Sequence, residues 1–139
     1  MMSMQFEGYN MAFVMHAVIE IPAAINFMFL PSKQLGEYTP HAHAIVRQYA
    51  LLLLVSVLIS LTFATRPMDD LSRAVAGSLA MYHIGPALRS MGRLRRQAAQ
   101  SKRLLLSEAT LYLVVHIACG TSLFMCYLGV GPVYGAREP

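Results

Sequence analysis

The chain has 139 residues, 56% of them hydrophobic and only 13% charged, with a formal net charge of +4, ten Met and no Trp. Soluble domains carry about a quarter charged residues, so this balance excludes an ordinary soluble globule and points to a membrane protein. The length suits one domain, and four apolar segments of about 15 to 22 residues fill most of it, leaving no room for a separate soluble domain. The expected fold is all-α, an integral membrane four-helix bundle with short loops and spans at approximately 11–30, 44–65, 71–88 and 109–130.

The first 32 residues contain no Lys or Arg. A cleaved secretory signal opens on a basic region, so none is expected, although Ala42-His43-Ala44 imitates a cleavage site. The first span, Met11 to Leu30, holds His16, Glu20 and Pro22 and stops at Pro31. Proline in a membrane helix frees a backbone carbonyl that neighbours can satisfy. The second span carries an uncharged run from Tyr49 to Thr65, preceded by Arg47 and ended by Arg66-Pro67. Tyr49, Ser56, Ser60 and Phe63 share one face at helical spacing, and hydroxyls prefer helix neighbours to lipid, so that face is expected to look inward.

The third segment opens on Asp69-Asp70, acids well placed at a helix N-terminus. Its uncharged core, Ala74 to Leu88, is short and contains Gly77, Ser78, Tyr82, His83, Gly85 and Pro86, features that would also suit a broken, tilted or shielded segment, and a full span is expected. Arg89 to Arg103 then reads as a basic interhelical loop, with apolar positions too sparse for a membrane helix. The fourth span runs roughly from Ala109 to Val130 and is broken by Gly131 and Pro132. Its two cysteines, Cys119 and Cys126, stand about 10 Å apart along a helix, beyond disulfide reach.

Positive charge decides orientation. Lys33, Arg89, Arg93, Arg95, Arg96, Lys102 and Arg103 fall on one side, with Arg47 at its boundary; only Arg66, Arg73 and Arg137 fall on the other. The positive-inside rule makes stretch 89–103 cytoplasmic and puts both termini on the non-cytoplasmic side. Basic residues concentrated in this way read as topology and lipid contact, with no nucleic-acid partner implied.

An ionisable group inside a span is costly and marks a functional site. With this orientation, Glu20, His83 and His116 lie roughly 15, 9 and 12 Å from the cytoplasmic end of their spans, so three helices could bring them into one layer. His16 lies about one turn above Glu20, and the pair could also simply neutralise each other. The expected catalytic residues are Glu20, His83 and His116. Tyr49, Tyr82, Tyr112 and Arg47 are expected to line a substrate site, with His16, Asn26, Ser56 and Ser60 in support. Arg47 could equally snorkel to headgroups, and His41 and His43 are expected to be exposed loop histidines, two ligands being too few for a metal site. No metal and no cofactor is expected, haem held between His83 and His116 being the alternative.

No Walker loop, nucleophile elbow, HExxH or dinucleotide fingerprint is present. The expected function is a small multi-pass membrane enzyme applying acid–base residues to a lipophilic small molecule, as an isomerase, cyclase or cofactor-free oxygenase. In size and span number the plan resembles the small four-span biosynthetic membrane enzymes of fungi, such as anthrone oxygenases. That resemblance carries no site residue over. Two other readings stay open: a non-catalytic interaction or anchoring protein, and a proton-coupled transporter or channel subunit acting as a homo-oligomer.

Overall fold

A computed structural model of the protein describes residues 10–35, 39–100 and 107–130, and all regular structure among them is helical. Three helices are long and apolar enough to cross a membrane: α1 (Met11–Phe29), α3 (Pro40–Ala64) and α6 (Glu108–Tyr127). The others are α2 (Ser32–Leu35), α4 (Asp70–Tyr82) and α5 (Ile84–Ala99). The chain divides between Arg66 and Pro67 into two units.

In the first unit α1 and α3 pack as an antiparallel hairpin. The open end is clamped by Asn10, whose backbone N–H donates to Ala64 O at 2.8 Å and whose side-chain amide donates to Phe63 O at 3.1 Å and Arg66 O at 2.8 Å. One residue thus supplies donors to three carbonyls at and just beyond the C-terminal end of α3, where a helix leaves acceptors open. Below the clamp, the four inward-facing residues of the second span all meet α1. Phe63 stacks on Phe13 with centroids 5.9 Å apart, and Ser60 donates to Phe13 O at 2.7 Å. Ser56 bonds His16 at 3.2 Å, and Tyr49 tilts against Phe27 at 5.9 Å. At the far end Arg47 Nε donates to Met28 O at 3.3 Å, capping α1 in the way basic side chains satisfy terminal carbonyls. α1 runs unbroken through Pro22, whose missing N–H leaves Val18 O without its helical donor.

Ser60 is fully buried, so its bond to Phe13 is an interhelical tie away from water. Ser60→Ala is expected to destabilise the protein by about 0.6 kcal/mol and by no more than about 1.7, the range for such bonds in membrane bundles. Reversible unfolding in mixed micelles reads it; no change at all would mean that the bond is not kept in the bilayer.

α3 begins at Pro40, earlier than the sequence suggests, because proline is preorganised for the first helical position. His41 and His43 are therefore helical, contrary to the expected loop; His41 is exposed, and His43 is buried.

The second unit holds α4, α5 and α6. Asp69 caps α4 by accepting from Ser72 N at 2.7 Å, and Ser107 caps α6 by accepting from Thr110 N at 3.2 Å. α6 ends in a Schellman turn: Val130 N–H donates to Met125 O at 2.9 Å and Gly129 N–H to Cys126 O at 3.0 Å. Gly129 sits there at φ 74°, a conformation that a Cβ disfavours. Arg73 Nε reaches from α4 to Tyr127 O at 3.1 Å, so the start of α4 lies beside the end of α6 and the two run antiparallel. Cys119 and Cys126 are both thiols, joined in no disulfide.

The expected span 71–88 is divided at His83, and Arg89–Ala99 is helix where a basic loop is expected. The break has a local cause. Pro86 has no N–H for Tyr82 O and its ring crowds that carbonyl, so α4 ends and α5 restarts with the proline in its first turn. Beyond it, Ile84, Ala87, Leu88, Met91, Leu94 and Ala98 recur at helical spacing among good helix formers. They are too few for a crossing and enough for an amphipathic helix. Lys102, Arg103, Arg137 and the Gly131-Pro132 break lie outside the described residues.

Candidate functional site

The break in α4–α5 fixes the first element of the site. His83 stands at the junction, 2% exposed, with its ring edge-on to Tyr82 at 5.1 Å between centroids. It lies against Gly120 of α6, where an added Cβ would be 3.1 Å from His83 Cβ. Only a glycine lets the two helices approach this closely here. One turn before Gly120, His116 points to the same place, and the two Nδ1 atoms are 3.0 Å apart. Their rings are tilted by 43° with centroids at 5.3 Å.

Beside the pair runs a groove of about 650 Å³ between α4, the first turn of α5, and α6. Sites for small organic molecules commonly measure about 300–1,000 Å³ and are mostly apolar with a few placed polar groups. This one fits that description: Ala74, Ala80, Met81, Ile84, Ile117 and Phe124 supply apolar wall, and Ser78, Thr121, Tyr127 and the two histidines supply the polar atoms. Gly77 shapes the end of the groove distant from the histidines, since a Cβ there would meet Tyr127 Cδ2 at 2.8 Å.

The contact between the rings dictates their protons. A neutral imidazole carries one N–H, and two rings can share an Nδ1···Nδ1 hydrogen bond only if one is the Nδ1–H tautomer and the other has a bare Nδ1. The donor ring then has a bare Nε2, and the acceptor ring carries its proton on Nε2. The neutral pair is thus a base at one end and an acid at the other. A proton accepted at the bare Nε2, with transfer across the Nδ1 bridge, is matched by release from the second Nε2, and the tautomers exchange.

Cys119, buried and one turn from His116, brings its sulfur within 4.8 Å of a His83 ring nitrogen. His83 therefore has two possible metal donors near it within this unit, the His116 ring and the Cys119 sulfur. An iron porphyrin fits between His83 and His116 only if the rings part, because nitrogens in hydrogen-bond contact leave no space for a macrocycle.

The remaining expected site residues are distributed differently. In the first unit, Ser56 donates its single proton to Leu53 O at 2.7 Å, so it must accept from His16, which places a proton on His16 Nε2. Glu20 is 1% exposed on the buried stripe of α1 that also holds Phe13, His16 and Ala17. Tyr49 and Arg47 take part in the hairpin contacts described above, and Asn26 is exposed. In the second unit Tyr82 touches His83, whereas Tyr112 is 44% exposed and does not line the groove. Ser78, Thr121 and Tyr127 were not singled out from the sequence. Their signal was the succession of small residues Ala74, Gly77 and Ser78, a concave stripe at helical spacing.

Compared with protein-family models, with curated proteins and with solved structures, the chain finds no match.

Proposed function

We propose that the protein is a membrane-embedded acid–base enzyme that takes a lipophilic small molecule into the second unit's groove and moves a proton on it. The observation that carries this reading is the hydrogen-bonded His83–His116 pair on the wall of an apolar groove of small-molecule size. A pair that accepts a proton at one Nε2 and gives one back at the other suits isomerisation or cyclisation, in which the substrate loses a proton at one atom and regains one at another. No oxidant and no second substrate is needed. Glu20, the buried acid of the first unit, is the third catalytic residue in this proposal, and Glu20→Gln tests its part.

In the same proposal, α4 with the first turn of α5 forms a broken third crossing. The chain then crosses four times, with both termini non-cytoplasmic and the Arg-rich stretch cytoplasmic. Ser78, Thr121 and Tyr127 would orient the substrate, since a few placed polar groups in an apolar site fix the pose.

The test does not require the substrate to be known. Membranes holding the protein are incubated in heavy water, and their lipophilic extract is compared by mass spectrometry with that of membranes lacking it. Protein-dependent deuterium uptake into a small molecule is the expected result. Unchanged isotope patterns in every extract from the native host, combined with proton flux in liposomes, would replace the enzyme by a proton-conducting relay built on the same pair.

A further inference from the structure

We infer that α5, beyond its first turn, binds anionic lipid at the membrane interface. The inference does not rest on the proposed enzyme activity. Helix α5 spans 16 residues and contains Arg89, Arg93, Arg95 and Arg96 with no Asp or Glu. At about 100° per residue, Ile84, Leu88 and Met91 form one stripe that ends on Arg95, and Arg89, Arg93 and Arg96 form another about 140° round the helix. Packing on α6 leaves the apolar stripe open and the arginine stripe mostly so: Ile84 is 56% exposed, Leu88 61% and Met91 41%, Arg89 and Arg96 are exposed, and Arg93 is half-buried. The side that is withdrawn from solvent holds Ser90, which is buried, with Pro86, Ala87 and Leu94 half-buried.

An exposed apolar stripe with an arginine at its end and an arginine stripe on the far side of the helix matches the boundary between acyl chains and headgroups, the apolar side chains entering the chains and the guanidinium groups meeting phosphate. The occupant is fixed by three features together. The helix continues directly from His83, beside α6, which is itself long and apolar enough to cross a membrane. Its charge is uniformly positive, which selects an anionic surface. Its apolar stripe needs a partner with hydrocarbon, which a nucleic acid lacks. A lipid with an anionic headgroup supplies both from one source.

The chain has no Trp, so Leu88→Trp creates a single fluorescent reporter on the apolar stripe. The full-length variant is placed in lipid nanodiscs of phosphatidylcholine and phosphatidylglycerol in which one lipid or the other carries bromine on its acyl chains, at equal mole fraction. Brominated phosphatidylglycerol is expected to quench more strongly than brominated phosphatidylcholine, and the excess is expected to shrink with salt. Each Arg near an anionic surface is worth about fivefold in lipid affinity, so Arg89→Gln with Arg93→Gln and Arg96→Gln should abolish the excess, while the three Lys replacements keep it. Equal quenching by the two lipids would overturn the anionic preference. No quenching by either would overturn the membrane location and leave the face to a protein partner. Retention of the excess in the Gln variant would show that the arginines do not select the lipid, and that too overturns the inference.

Discussion

His116→Asn is expected to lower protein-dependent deuterium uptake by about 10² to 10⁴-fold, the usual worth of a positioned general acid–base group. The choice of Asn matters. Its short amide can still reach the His83 Nδ1 position and keep a hydrogen bond there, but it has no second ring nitrogen and cannot pass a proton from one end to the other. His116 is half-buried and bonds the His83 side chain rather than the backbone, so helix α6 should retain its fold, which circular dichroism checks. His83→Asn should cost about as much, and the double variant little more than either, because groups that act as one unit are strongly non-additive. Full activity in His116→Asn would remove the relay from the proposal. Additive losses would show two independent groups rather than a pair.

Gly120 gives a second large effect by a different route. In Gly120→Leu the side chain meets His83 at its Cβ and projects toward the groove that Gly120 lines, so uptake is expected to fall by about 10²-fold or more, the scale of a displacement near 1 Å. Overpacking should also destabilise the protein by about 1–3 kcal/mol. Gly120→Ala separates the two consequences. Its methyl needs His83 to yield only a few tenths of an ångström from the 3.1 Å contact. Removing a helix-interior glycine recovers about 0.5–1 kcal/mol of backbone entropy. Thermal stability should therefore stay close to that of the parent while uptake falls. Equal activity of the Ala variant and the parent would mean that the fine spacing of the histidines is not used.

Much of the fold is visible in the residues themselves. α1, α3 and α6 follow from uninterrupted apolar runs, and the inward face of α3 follows from the spacing of Tyr49, Ser56, Ser60 and Phe63, all of which meet α1. α5 was missed because its apolar density was judged against the needs of a crossing. The same residues at 3.6-residue spacing describe an amphipathic helix, and Arg, Gln and Leu favour helix whether or not it enters a bilayer. The break at His83 could be placed only within a few residues, since Gly85 and Pro86 both disrupt a helix and the carbonyl that loses its donor belongs to Tyr82.

The site was legible in its chemistry and not in its form. His83 and His116 are prominent as ionisable groups in apolar surroundings, and helical rise gives them similar depth. Their contact depends on which residue of α6 faces the junction, a register that Gly120 sets and that periodicity within one helix does not reveal. The groove is less visible still, because its wall is made of alanines, a methionine and isoleucines that look the same in sequence whether they face lipid, a neighbour or a cavity. Arg73 reads as a loop charge until Tyr127 O is placed beside it.

The clamp at Asn10 has a consequence for biogenesis. Every tie described for α1 and α3 closes within residues 10 to 66, and every tie described for α4, α5 and α6 closes within residues 67 to 130. A ribosome adding about 5–20 residues per second completes the first hairpin several seconds before the second is finished. Asn10 has to wait for Phe63, Ala64 and Arg66 to be made before its donors meet these acceptors. The membrane therefore receives the first half as a loop whose two ends lock together at the same moment, and translation order becomes assembly order.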